Sequence, residues 1–464
     1  MTVEKYRVDR QFYLHEEGEI YDSLADIPGR LTVDREVLPV FLRLGYVPGT
    51  KTLFEGVECL PGGHTVEYDK GGWRTVDRFG FSQRIDRDRY RGRSEDELSE
   101  RGARLFVEAV DRCFEPSRRP IVPLSGGMDS RAIVAALLEM TEAKNIRTVT
   151  FGTPGTAEFD LANRVARRAG TDHLALDMRR MDWTTDRLVE IARHTDANTD
   201  LFQPVVWTWV DEHLGETGRI WSGFTGDGIG GSKFRSKDPP RREAASYFLA
   251  NATNRITFYP TPEGWEEPYV DWLDYPTKYD AAMASTEAMW FEHHVERYAS
   301  HHLFLDDWEF ALPFMDDDFM SFMFSVDPSH RAGKSLFDRM MSRRFSRLFE
   351  LPVTGEGYVG TRRPARNALH GAKLAVKKAM WRIPTLGVPH PDVSYIDYRN
   401  AIRHDDDFHD FVDAQLQDLK ARQLLDESRI DEIWRARYGR RAEPIAMMLT
   451  LIASLEIALK AFCD

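Results

Sequence analysis

Cysteine is scarce in this 464-residue chain. Cys59, Cys113 and Cys463 are the only three, they lie far apart, and they form no C-x-x-C pair. That argues against a disulfide framework and a cysteine zinc site, and it fits a reducing cytosol. An excess of basic charge is also missing. Lys and Arg total 62 against 75 Asp and Glu, a net charge of -13. A general nucleic-acid binder, which needs a basic face, is therefore disfavoured. No apolar signal core follows Met1-Thr2-Val3-Glu4-Lys5. The most apolar late stretch, Ile445 to Phe462, carries Glu456 and Lys460 and reads as a buried terminal helix, not a membrane span. A soluble, cytoplasmic protein is expected. Two phosphate-binding patterns are absent as well. Without G-x-x-x-x-G-K-[ST], γ-phosphate transfer of the Walker type is disfavoured; without G-x-G-x-x-G after the first strand of the central region, so is a dinucleotide site.

What is present belongs to a folded enzyme-sized chain. Its length predicts two or three domains, and 42% hydrophobic with 12% aromatic residues is ample for packed cores. Residues 1–85 read as a small β-rich unit, with strand-like Arg10 to Leu14 and His64 to Tyr68 set off by Pro61-Gly62-Gly63 and Lys70-Gly71-Gly72. Asp34 to Leu44 has helical apolar spacing. The charged stretch Gln83 to Glu100 reads as a linker. Residues 100–464 form the main domain, with an α/β core at 100–235 and a mainly helical remainder at 240–464. In the core, strands at Ile121–Leu124, Ile146–Phe151, His173–Leu176 and Arg219–Trp221 alternate with helices at Leu105–Phe114, Arg131–Met140, Phe159–Ala169, Asp186–His194 and Gln203–Leu214. This alternation predicts a doubly wound parallel sheet, which binds ligands at the carboxyl ends of its strands.

Two glycine-rich loops follow predicted strands. The first is Leu124-Ser125-Gly126-Gly127-Met128-Asp129-Ser130, between a strand and a helix. Glycines let the backbone approach an anion, and successive N–H groups at a helix start attract it. Ser125 and Ser130 add hydroxyl donors, and Asp129 suits a Mg²⁺ bridging phosphate oxygens. The second is Ser222-Gly223-Phe224-Thr225-Gly226-Asp227-Gly228-Ile229-Gly230-Gly231, where Asp227 offers a second metal-binding carboxylate. The sheet brings both loops to one edge.

These residues resemble the asparagine synthetase family, whose synthetase domain is a PP-loop ATP pyrophosphatase. Ser125 to Ser130 matches its pyrophosphate loop. Thr150-Phe151-Gly152 with Phe159 to His173, Ser222 to Gly231, Glu309 with Pro313-Phe314-Met315-Asp316, and Lys334 are similar to its later motifs. Leu44 to Pro48, Thr52 to Val57 and Leu60 to Gly63 resemble the segment closing its N-terminal domain. The resemblance implies a fold like that of adenine nucleotide alpha hydrolases, with ATP and Mg²⁺ as cofactors. It further implies that a carboxylate is activated as its adenylate and passed to ammonia or an amine. It assigns ATP and pyrophosphate to Leu124, Ser125, Gly126, Gly127, Asp129 and Ser130, with Phe151, Gly152, Ser222 and Gly223 around adenosine. Metal falls to Asp129 and Asp227, and Lys334 joins them in catalysis. The expected partners are a small-molecule carboxylate and an amine or ammonia, in a homodimer or beside a separate ammonia-supplying protein.

The departures from the family are as specific. Members that hydrolyse glutamine carry a cysteine at position 2, where this chain has Thr2, so no glutaminase activity is expected. Three residues before the loop Asp the family has Glu, or Tyr in β-lactam synthetase; here it is Phe224. The Glu after that Asp is Gly228, and the Arg of Glu-x-Arg-x-Pro is Ala311. The late lysine is absent, leaving Arg362, Arg363 or Lys373 to replace its charge. Adenylation is thus better supported than amine attack, and a nucleotide-binding homologue without catalysis stays open beside the ligase. A tRNA- or sulfur-handling PP-loop enzyme is disfavoured by the missing cysteine pair and basic face. His293-His294 and His301-His302 read as a partly exposed helix face rather than a metal site. Asp316-Asp317-Asp318 reads as either a solvated charge run or an amine-orienting carboxylate. The basic run Arg362 to Arg382 reads as a solvated segment, with a phosphate flap or a surface helix as the alternatives.

Overall fold

The computed structural model describes residues 12–14, 19–59, 64–69, 72–77, 84–215, 218–234, 238–252, 257–275, 279, 283–299, 308–354, 364–381, 389, 393, 396–439 and 442–464. Thr2, Arg10, Gln11, Leu60 to Gly63, His301, His302, Arg362 and Arg363, all singled out in the sequence, lie outside these residues.

In the N-terminal unit, β1 (Phe12–Leu14) pairs antiparallel with both β2 (Ile20–Tyr21) and β3 (Val57–Cys59). A separate hairpin joins β4 (His64–Asp69) to β5 (Gly72–Asp77). The helical spacing of Asp34 to Leu44 yields a shorter helix, α1 (Leu38–Leu44), because Pro39 is accommodated only in a first turn. The charged stretch read as a linker contains the start of α2 (Glu95–Cys113). Ser94 and Glu97 form a reciprocal capping box there, so the helix begins ten residues earlier than its apolar periodicity suggests.

Five parallel strands form the central sheet: β6 (Pro120–Pro123), β7 (Arg147–Gly152), β8 (Asp172–Asp177), β9 (Arg219–Trp221) and β10 (Glu309–Ala311), in the order β10-β9-β6-β7-β8. The helices α3 (Asp129–Leu137), α4 (Ala157–Ala169), α5 (Thr185–His194) and α6 (Val206–Leu214) alternate with them. The edge strand β10 lies beyond residue 235, where the sequence reading closed the α/β core, within the part read as mainly helical. Its backbone pairs with β9 from Glu309↔Arg219 to Ala311↔Trp221. The chain winds outward from β6 through β7 to β8, then returns to the other side of β6. The boundary between β6 and β9 is therefore the topological switch point, where a crevice opens at the carboxyl ends of an open α/β sheet.

Among the described residues the larger apolar core runs from Leu24 to Phe462, and a smaller one joins Val40 and Tyr46 to Phe248 and Leu273. The last helix, Ala442–Phe462, is apolar enough to span a membrane by composition, with a mean hydropathy of 1.9, yet 83% of that window is buried inside the fold. It packs against α5 and against the helices Tyr398–His404, Asp406–Ala421 and Glu427–Ala436. At its far end the Phe462 carbonyl accepts the Leu31 amide (2.9 Å), and its ring meets Phe54 edge-on. The N-terminal unit is thereby fixed to the C-terminal helix.

Candidate active site at the sheet switch point

The first glycine loop leaves β6 directly into α3. Leu124 extends strand pairing by donating its amide to Val149 (2.8 Å), and its carbonyl accepts the buried Thr150 hydroxyl (2.7 Å). The loop then closes on its own serines. The Ser125 amide donates to Oγ of Ser130 (3.1 Å), the two hydroxyls lie 3.1 Å apart, and the Gly127 amide donates to Oγ of Ser125 (3.1 Å). Gly126 is required by space: a Cβ there would stand 2.1 Å from Oγ1 of Thr354 and 3.3 Å from Cα of Glu158. The segment holding Thr354 is itself tied to the loop, since the Thr354 amide donates to the Gly126 carbonyl (3.1 Å).

Arg131, one residue beyond the loop and fully buried, was not flagged in the sequence. Its guanidinium donates to the carbonyls of Gly126 (3.0 Å), Leu351 (3.0 Å) and Pro352 (2.8 Å) and lies over the Phe349 ring. One cation thus staples the loop to residues 351–354. The available signal was a lone charge in the otherwise apolar helix Arg131-Ala-Ile-Val-Ala-Ala-Leu-Leu.

The second glycine loop leaves β9, which neighbours β6, and so arrives against the first. A Cβ on Gly223 would stand 2.9 Å from Cβ of Asp129 and 3.1 Å from the Ser130 amide nitrogen. Asp227 lies in the short helix α7 (Gly226–Ile229). Its Oδ1 pairs with Nζ of Lys334 at 3.1 Å, and its Oδ2 accepts the Ser232 hydroxyl at 2.5 Å. Burial pushes the Asp227 carboxyl up, but the Ser232 hydroxyl and the charges of Lys334 and Lys233 outweigh it and hold the carboxyl below the ordinary aspartate range.

Lys334 reaches Asp227 from a strained position. Its φ is +66°, left-handed and unusual for a branched-chain-free lysine, and it follows Gly333 at φ +60°. The preceding Arg331 is anchored by a buried bidentate pair with Glu287 (2.8 and 3.0 Å) and lies over Phe324. Its carbonyl abuts Gly231, where a Cβ would meet it at 2.3 Å. The turn is therefore held from both sides, which is what sustains a left-handed lysine.

Beside the loops a mainly apolar cavity of about 210 Å³ lies at the ends of β6 and β7. Leu124, Ser125, Phe151, Glu158, Gln203 and Trp207 line it, with Phe151 edge-on to Trp207. Burial raises the Glu158 carboxyl above its ordinary range. Phe151 faces this cavity, whereas Gly152, Ser222 and Gly223 do not line it: Gly152 pairs with Asp177 in β8, and Gly223 packs on Asp129.

Gly228, which takes the place of a family glutamate, is explained by Trp290. A Cβ at 228 would stand 2.2 Å from the Trp290 indole, so the ring fills the space a side chain would need. Trp290 is sixty residues away in sequence and was not anticipated. His293 and His294, read as a partly exposed face, belong to the π-helical turn Phe291–Val295, and His293 is fully buried between the rings of Phe248 and Tyr275. His294 stacks on Trp290.

The acidic run resolves into structural roles. Asp316 caps the helix Asp317–Ser325 through the amides of Asp318 and Phe319 and makes a two-point pair with Arg112 (2.8 and 2.5 Å). Asp317 pairs with Arg84, and Asp318 lies 3.6 Å from Arg112. Glu309 pairs with Arg118 at the start of β10, at the end of the sheet opposite the loops. The basic stretch is helical over Pro364–Trp381; Lys377 reaches the Gly155 carbonyl and Asp160 beside α4, while Lys373 is exposed.

A five-stranded parallel sheet with a helical C-terminal part, carrying a strand-to-helix Ser-Gly-Gly-x-Asp-Ser loop at its switch point, defines the adenine nucleotide alpha hydrolase-like class. The family model described as asparagine synthase matches residues 101–460, and the chain belongs to that family. No curated protein is a significant match.

Proposed function

We propose that this chain is an ATP-dependent ligase that activates a carboxylate as its adenylate, releases pyrophosphate, and transfers the acyl group to ammonia or an amine. The observation that carries the reading is the convergence of both glycine loops on Asp129 at one switch point. A carboxylate oxygen attacks the α-phosphorus, the bond to the β-phosphate bridging oxygen breaks, and pyrophosphate leaves with that electron pair. The amine nitrogen then attacks the acyl carbon, AMP departs, and the nitrogen gives up a proton.

Each part of the site has a place in this scheme. The Gly126 amide and the hydroxyls of Ser125 and Ser130 would be donors to the phosphates, while the Ser125 and Gly127 amides hold the loop's shape by donating to those serines. Lys334 supplies a cation for charge that grows on the leaving group. The cavity lined by Leu124, Phe151 and Trp207 suits a flat purine, with mainly apolar walls and a few polar groups among them. Asp129 and Asp227 fit Mg²⁺. It binds through one or two carboxylates together with substrate phosphates, and Gly226 leaves open the space in front of Asp129 that a Cβ would fill. Among the described residues no cluster of three or more His, Cys, Asp or Glu could hold a metal by itself. With ATP bound, the ion would neutralise phosphate charge.

Phe224 and the Gly228–Trp290 contact favour a carboxylate other than aspartate. Neither Phe224 nor Gly228 can accept a proton or hydrogen-bond through a side chain, so an aspartate- and ammonia-specific second step lacks its polar groups there. Pyrophosphate release from Mg-ATP, measured across amino, sugar and aromatic acids in wild type and Asp129→Ala, tests the reading. One or more acids should stimulate release at least 100-fold in wild type only; no stimulation by any acid refutes the ligase and leaves a nucleotide-binding homologue.

A further inference from the structure

Lys233 is unassigned by the motifs above, yet two contacts place it against the glycine loop that carries Asp227. Its Nζ lies 5.1 Å from the centroid of the Trp290 ring, within the range of a cation–π contact. The edge of that same indole occupies the space beside Gly228, in the turn that carries Asp227. Trp290 thus does two things with one ring: it excludes a side chain after the loop Asp, and it holds an ammonium against the loop that carries it.

We propose that Lys233, docked on the indole of Trp290, is a second phosphate-binding cation that acts with Lys334 on the pyrophosphate leaving group. The charge balance explains the need. Lys334 is already committed to Asp227 at 3.1 Å, so that pair alone brings no net positive charge to a polyanion. Lys233 adds a positive charge beside that neutral pair. Growing charge on the leaving oxygens is then met by a cation held in place before the reaction, with little reorganisation at the moment of bond breaking. The ring face holds the ammonium without neutralising it, as a carboxylate partner would. Trp290 is the positioning residue, and Lys233 is the group that touches phosphate. This inference rests on the proposed cleavage of ATP at its α-phosphate.

The test uses the full chain with Mg²⁺ and inorganic pyrophosphate, by calorimetry, followed by acid-stimulated pyrophosphate release. Lys233→Met should weaken pyrophosphate binding about tenfold or more, as expected for a lost charge-assisted contact. It should also flatten the salt dependence of binding. Lys233→Arg should restore most of the affinity, because Arg stacks on indole and keeps the charge. Trp290→Phe, which keeps an aromatic face, should lose less than Trp290→Leu. Thermal melting of each variant separates loss of the fold from loss of the cation. If Lys233→Met binds pyrophosphate as tightly as wild type while Asp129→Ala is impaired, Lys233 is not a phosphate ligand and the ligase reading stands. If wild type binds neither pyrophosphate nor Mg-ATP, the parent reading falls and takes this one with it.

Discussion

A Cβ on Gly226 would stand 2.7 Å from Cγ of Asp129 and within 3.0 Å of both its carboxylate oxygens. Two loops separated by nearly a hundred residues therefore meet with no room for a methyl group between them. Gly226 has no left-handed backbone requirement, so Gly226→Ala probes that space alone. The variant should fold with little change in melting temperature and lose at least tenfold in acid-stimulated pyrophosphate release, because the Asp129 carboxylate must turn away from its place. Unchanged release would show that Asp129 does not act from this position.

Gly228 and Trp290 form a second close pair, at 2.2 Å from the hypothetical Cβ. Gly228→Ala should destabilise the chain by about 1–3 kcal/mol through overpacking. Combining it with Trp290→Ala should recover part of that loss, a coupling that a double-mutant cycle in denaturant would measure. Strict additivity would mean that the ring moves aside freely.

Arg131 binds loop carbonyls that no other described side chain caps. Arg131→Met keeps the aliphatic length but removes the donors, and should cost about 3 kcal/mol as charged hydrogen bonds are lost to buried acceptors. Limited proteolysis should then cut first near residues 351–354, since the staple holds that segment. Protection equal to wild type would assign the stability of this segment to other contacts.

Asp200 is a buried carboxyl on the segment leading into α6. Burial pushes it up to about 6, although it accepts the Phe202 amide and the hydroxyls of Thr450 and Ser454. Its folded value lies above the ordinary one, so the native state binds more protons than the unfolded state between about pH 4 and 6. Its contribution to stability is therefore fully present below pH 4 and is lost as pH rises through 6. Asp200→Asn, which cannot ionise, should be more stable than wild type at pH 7 relative to pH 4 by roughly 2–3 kcal/mol. Denaturant titrations at the two pH values check this; a pH difference equal to that of wild type would show that Asp200 titrates normally.

Much of the sheet was legible because its signals are local. The strand Arg219–Trp221 and the strand-loop-helix around Ser125 to Ser130 follow from short apolar runs ended by glycines, and the observed elements differ from the reading by three residues at most. The edge strand β10 was not legible, since three residues are too few to carry a periodicity. The start of α2 was hidden in a charged run, although Ser94 and Glu97 spell a capping box. At the site, the two loops could be read, but what shapes them could not. Trp290 against Gly228, Thr354 against Gly126 and Lys233 on an indole are contacts between distant positions with no pattern in the chain. Asp316 erred in the other direction: its neighbours suggested a solvated or substrate-facing carboxylate, whereas it caps a helix and pairs with Arg112.

The helix Ala442–Phe462 has a consequence for how the molecule is made. Asp200 waits for hydroxyl partners 250 and 254 positions further on, and Leu31 donates to the carbonyl of Phe462. During synthesis the α/β sheet and both glycine loops emerge well before the segment that fills the centre beneath α5. Until then the growing chain exposes an apolar trough and an unsatisfied carboxyl, a state prone to association. Completion of the interior is thus a late event, joining the two ends of the chain in one long-range closure of the kind that slows folding. A cell producing this protein would need to shield that trough from the emergence of α5 until the last helix is made.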